Sequence, residues 1–82
     1  MDSRVALIST IVEQADSVEA LNRILHEYGA YIIGRMGLPY QKRGISIISI
    51  AVDAPADIIS ALSGKLGRLP GVSSKALYSK VN

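Results

Sequence analysis

Two stretches, Arg4–Val12 and Ile45–Asp53, are apolar on both sides of the alternation expected of a β-strand. In the first, Val5, Leu7, Ser9 and Ile11 share one side, and Ala6, Ile8, Thr10 and Val12 the other. In the second, Ile45, Ile47, Ser49 and Ala51 oppose Ser46, Ile48, Ile50 and Val52. Strands of this kind need cover above and below. The fold must supply a layer for each side of the sheet, or leave one side to something else.

The segments between these strands read as helices and turns. Glu13–Asp16 is a loop, and Asp16 with Glu19 three residues on makes a capping-box-like pair. Val18, Leu21, Leu25 and Tyr28 then recur at spacings of three and four, one face of a helix, and Gly29 stands where a left-handed helix stop is expected. Tyr31–Met36 reads as a second strand and Gly37–Gly44 as a long hairpin loop. Beyond the third strand, Pro55 suits the first turn of a second helix whose face is Ile59, Leu62, Leu66 and Leu69. Asp53 and Asp57 are candidate caps for it, and Gly67 and Pro70-Gly71 end it. Val72–Tyr78 reads as the last strand.

The order β-α-β-β-α-β over one domain, residues 1–82, predicts an α+β, ferredoxin-like sandwich. It has a four-stranded antiparallel sheet with two helices on one face. An internal repeat agrees with it. A shift of 40 residues lays Ile8 on Ile48 and Val12 on Val52, and a shift of 41 lays Val18 on Ile59, Leu21 on Leu62 and Leu25 on Leu66.

Two helices cover one face of such a sheet. The other face stays apolar, and the chain has little with which to cover it. It is 82 residues long with no Cys, Phe or Trp, so its core is built from Ile, Leu, Val and Ala without disulfide or zinc–thiolate support. A homodimer or higher oligomer joined through the sheet is therefore expected. No stretch approaches the length of a membrane span, and the first residues lack a secretory apolar region, so a cytoplasmic protein without membrane association is expected.

Charge is unevenly distributed. The net charge is +2, and no acid follows Asp57, whereas Lys65, Arg68, Lys75 and Lys80 do. The run from Gly34 to Gly44 gathers Arg35, Lys42 and Arg43 with Tyr40. These side chains suit a phosphate or carboxylate with a planar group beside it. The alternative is a structural hairpin whose Leu38, Pro39 and Tyr40 pack on a neighbouring subunit. Ser63-Gly64-Lys65 lacks the full phosphate-loop pattern and lies late in a helix, where the dipole disfavours an anion. The single His26 falls off the apolar stripe and has no second His at ligand spacing, so no metal site is expected. Nothing fixes a catalytic set. The third strand lacks the stacking aromatics of an RNA-recognition domain, so direct nucleic-acid binding is not expected.

The glycine-rich blocks Gly34-Arg35-Met36-Gly37-Leu38-Pro39-Tyr40, Arg43-Gly44-Ile45-Ser46, Ser60-Ala61-Leu62-Ser63-Gly64-Lys65-Leu66-Gly67 and Leu69-Pro70-Gly71-Val72 resemble those of the iron-only hydrogenase system regulators. The likeness runs from about Arg4 to Leu77. It implies an ACT-like fold, similar also to the ligand-binding domain of nickel-responsive regulators. It further implies a regulatory or sensor role tied to an [FeFe] hydrogenase, with no catalytic or ligand residues to carry over. The nickel regulators bind metal through His and Cys, and this chain has His26 alone and no Cys. It also lacks their DNA-binding segment, so regulation of transcription would run through a partner protein.

The sequence therefore predicts a non-enzymatic, oligomeric regulatory module. It would bind a small anionic ligand of unknown identity at a subunit interface, through Arg35, Tyr40, Lys42 and Arg43. The alternative is an interaction module that docks a hydrogenase maturation or transcription partner without a small ligand.

Overall fold

The structure, a computed structural model, describes residues 2–80. Its elements are β1 (Arg4–Val12), α1 (Ser17–Glu27), β2 (Ile32–Tyr40), β3 (Ile45–Ala54), α2 (Ala56–Gly67) and β4 (Val72–Tyr78). Short 3-10 turns at Gly29–Tyr31 and Gln41–Arg43 flank β2. The strands form one antiparallel sheet in the order β2-β3-β1-β4. This is the predicted ferredoxin-like βαββαβ arrangement, with β1 and β3, the most apolar strands, at its centre.

Alternation decides which residues enter the core. On β1, Ala6, Ile8, Thr10 and Val12 are buried, and on β3, Ile48, Ile50, Val52 and Ala54 are. The helices press Leu21 and Leu25 from α1, and Ile59, Leu62 and Leu66 from α2, onto that side. The repeat positions Ile8 and Ile48 thus carry out the same packing in the two halves. Full burial of each Ile or Leu contributes about 1.5–3 kcal/mol, so this one layer carries most of the favourable free energy.

Thr10 is the exception within it. It is 1% exposed and sits between Ile48 and Ser74 on the neighbouring strands, yet its Oγ1 has no hydrogen-bond partner among the described residues. The nearby Ser74 hydroxyl is engaged with that of Ser63, 3.1 Å away. A buried, unpaired hydroxyl costs free energy that an isosteric methyl does not. Thr10→Val should raise stability by about 1 kcal/mol in a urea titration. An equal or larger loss would mean the hydroxyl has a partner after all.

Local structure departs from the sequence reading in four places. Asp16 has helical backbone angles and makes no side-chain cap; the N–H groups of Ser17 and Val18 bond instead to the carbonyls of Gln14 and Ala15 in a preceding turn. Gly29 does not adopt a left-handed conformation, because α1 ends at Glu27 and the chain continues directly into the 3-10 turn. Pro55 is the N-cap of α2 rather than a first-turn residue, and neither Asp53 nor Asp57 caps it: Asp57 lies in the first turn and Asp53 in β3. The fourth is β2, which runs on to Tyr40, so the hairpin connection shrinks to Gln41–Gly44. Pro39 is tolerated because β2 is an edge strand.

One cross-tie closes the end of the sandwich. The hydroxyl of buried Ser17 donates to the carbonyl of Pro70, and the Glu13 N–H donates to the carbonyl of Gly71 at 2.7 Å. The start of α1 is thereby fixed to the turn between α2 and β4.

Candidate functional site

No element among the described residues covers the side of the sheet away from the helices. Its residues fall into rows across the four strands, read from β2 to β4. One row is Gly34, Ala51, Leu7 and Leu77; the next is Met36, Ser49, Ser9 and Lys75; the third is Leu38, Ile47, Ile11 and Ser73. Tyr40 and Ile45 begin a fourth. Two apolar bands are thus separated by a band centred on two facing serines. Met36 is 72% exposed, Leu77 70% and Leu38 62%, values unusual for strand residues of this kind.

The face is not flat. At Gly34 an added Cβ would meet nothing within 4 Å, and with Ala51 beside it the first row is low on the β2 side. The third row stands high there, with Leu38 and Ile47. Shallow hollows follow from this relief. One of about 310 Å³ lies against Val5, Leu7, Ala51 and Leu77, and another against Leu7, Gly34, Met36 and Ser49.

The four residues expected to hold an anion do not come together in one chain. Tyr40 ends β2 on the open face, and Lys42 and Arg43 follow in the adjoining turn. Arg35 pairs with Ile50, which places it on the helix side of the sheet. There its guanidinium donates to Asn22 Oδ1 of α1 at 2.9 Å. It also lies five residues from Tyr40 along an extended strand, about 16 Å. His26 is exposed on α1, and no group of three or more His, Cys, Asp or Glu side chains among the described residues is placed to hold a metal. No helix among the described residues is long and apolar enough to cross a membrane.

The sequence reading missed how much of the open face belongs to β2. By treating Gly37–Gly44 as loop it left out Leu38 and Tyr40 as sheet residues. The signal was present: Gly34, Met36, Leu38 and Tyr40 continue with period two straight through Pro39.

Comparison with known proteins decides the family. The TM1266-like family, described as "Iron-only hydrogenase system regulator, putative", matches residues 4–76. The chain belongs to this family. Among solved structures, TM1266 from Thermotoga maritima superposes with a TM-score of 0.92 at 30% sequence identity, over 96% of this chain and all of that one. A formyltetrahydrofolate deformylase from Pseudomonas putida KT2440 matches with a TM-score of 0.59 at 16% identity, over 93% of this chain but 28% of that one. The second likeness is one of fold alone. No curated protein matches. Membership of the TM1266-like regulator family agrees with the glycine-rich blocks, three of which lie wholly or largely on β2, α2 and the turn into β4.

Proposed function

We propose that the protein is a regulatory module of an iron-only hydrogenase system, not an enzyme, and that it acts by self-association through the open sheet face. The observation that carries this reading is the two-band relief of that face. A two-fold axis along the serine row turns the low band of one copy onto the high band of another. Gly34 then lies opposite Leu38 of the second copy, Ala51 opposite Ile47, and Leu7 opposite Ile11. On β2 and β3 a small residue thus meets a large one, which favours an isologous, well-packed interface. The Ser9–Ser49 band meets itself at the centre, where hydroxyls can pair, and Lys75 stays at the rim.

The same assembly gives the basic turn a role. Tyr40 sits at the border of the open face, with Lys42 and Arg43 just beyond it. The two-fold sets the two turns at opposite ends of the dimer, each facing the Val5–Asp53 end of the other copy's sheet, so a small anion held by Lys42 and Arg43 would lie between the turn of one copy and the sheet end of the other. A ligand that spans two chains stabilises the assembly that creates its site, which makes association the regulated step. Arg35, held by Asn22 on the other side of the sheet, is left out of this site.

Native mass spectrometry of the purified protein tests the proposal. The expected result is a dimer or a multiple of it, with additional non-protein mass if the ligand is retained. An oligomer without added mass that instead captures a hydrogenase-system protein would favour the face as a docking surface. A monomer at tens of micromolar (about 50 µM) would overturn the self-association reading.

A further inference from the structure

We infer that the outer edge of β4 takes up an extended, acidic segment of a partner protein by strand addition. The inference does not depend on the open face, because it concerns backbone groups at the border of the sheet rather than side chains above it.

The direction of the backbone groups follows from two hydrogen bonds. Ser79 donates to the carbonyl of Val5 and Glu13 to that of Gly71, and both pairs continue the β1–β4 register at its ends. In an antiparallel ladder, bonded and non-bonded pairs alternate. Ser73, Lys75 and Leu77 therefore turn their N–H and C=O groups toward β1, whereas Ser74, Ala76 and Tyr78 turn theirs outward. No strand among the described residues pairs with that side.

The opposite edge of the sheet is built differently. The same alternation, carried through the β1–β3 and β3–β2 registers, leaves Arg35, Gly37 and Pro39 facing outward on β2. Proline has no N–H to offer, so that edge is blunted near the C-terminal end of β2. On β4 the outward row is unbroken. One edge is shortened by a proline and the other is continuous, and this asymmetry points to use of the continuous one.

Charge and shape select the occupant. Beyond the first turn of α2 and through β4, every charged residue is a cation. A second copy of this edge would set these cations against their own kind, whereas an acidic strand complements them. Beside the edge, α2 and β4 enclose a trough of about 500 Å³. Arg68, Ser60 and Ser63 line its helix side, and Ser74 and Ala76 its strand side. Gly64 keeps the helix low there: an added Cβ would come within 3.4 Å of the Arg68 guanidinium. Alternate side chains of an added strand would enter this trough and meet hydroxyls and a guanidinium, which suits aspartate or glutamate. The intervening side chains would lie beside Lys75 and Leu77.

A fluorescently labelled, end-blocked peptide of alternating glutamate and valine serves as the probe, with alternating lysine and valine as its counterpart. The acidic peptide is expected to bind the full chain and the basic one not to. Arg68→Glu should weaken binding at least about tenfold, a loss of about 1.4 kcal/mol. Ala76→Pro, which installs on β4 the proline that β2 already carries, should abolish it. In the wild-type protein, bound peptide should slow hydrogen exchange at the amides of Ser74, Ala76 and Tyr78. That readout does not require the proline variant to fold. Absence of binding up to about 1 mM, a level corresponding to about 4 kcal/mol, overturns the inference. So does binding indifferent to Arg68, or exchange at those amides that is already slow and concentration-dependent without peptide, since a second copy would then hold the edge.

Discussion

Replacing Gly71 by alanine should lower the stability of this domain by about 2–4 kcal/mol, the largest effect expected of any single methyl added to the chain. Two causes act together. Gly71 has φ +69, a backbone region that costs an L-residue about 1–2 kcal/mol. A Cβ there would also lie 2.9 Å from Gln14 Cβ and 3.0 Å from the Gln14 backbone nitrogen. The backbone contact cannot be relieved by rotating a side chain. It lies next to the bond from Glu13 N–H to the Gly71 carbonyl, so relief would loosen the cross-tie at the start of α1. At about 4–8 °C per kcal/mol for a domain of this size, the melting temperature should fall by roughly 8–32 °C. Gly44 is the internal control. Its φ is +66, but a Cβ there meets nothing within 4 Å, so Gly44→Ala should cost only about 1 kcal/mol. Equal losses at the two positions would show that backbone conformation alone sets the effect and that the Gln14 contact relaxes freely.

Leu7→Glu should convert the proposed dimer to a monomer. Leu7 lies on β1, and its side chain borders both hollows of the open face. In the two-fold arrangement it packs on Ile11 of the second copy, and each dimer contains that contact twice. Loss of about 1.5–3 kcal/mol of apolar burial at each raises the dissociation constant by about a hundredfold or more, before the cost of desolvating two carboxylates. Because Leu7 is on the side of β1 away from the helices, the fold itself should survive with an unchanged far-ultraviolet spectrum. Sedimentation velocity measures the mass directly. The wild-type melting temperature should rise with protein concentration, and that of the variant should not. A Leu7→Glu protein that sediments like the wild type would place the interface elsewhere.

The two predictions draw on information that the sequence exposes unequally. The central strands could be read residue by residue because β1 and β3 alternate cleanly and are bounded by polar loops. Arg4–Val12 and Val72–Tyr78 have the same limits in the structure as in the sequence reading. The uncovered face was legible for the same reason, since apolar residues on both sides of a strand exceed what two helices can cover. What failed was local chemistry decided by tertiary context. Asp16 and Glu19 have the spacing of a cap, yet the turn at Gln14–Asp16 absorbs the first N–H groups. Gly29 has the placement of a helix stop, yet Gly44 and Gly71 are the glycines with positive φ among the described residues. Proline at 39 suggested a loop, and only the position of β2 at the sheet edge explains why a strand tolerates it. The placement of the candidate ligand residues shows the same limit. Arg35 is near Tyr40 and Arg43 along the chain, but strand geometry sends it to the other side of the sheet, and sequence proximity carries no record of that.

Pro39 has one more effect, on what the protein can become at high concentration. Sheets grow into fibres when each unit offers two competent borders, one to receive and one to be received. Here one border is interrupted by a residue that cannot donate, and the other is lined by cations. Even if two chains joined at β4, the enlarged sheet would end at both sides in a β2 strand whose outward ladder the proline shortens, which disfavours further growth. The fold can leave an adhesive strand at one border, and an apolar face beside it, without seeding an open-ended polymer.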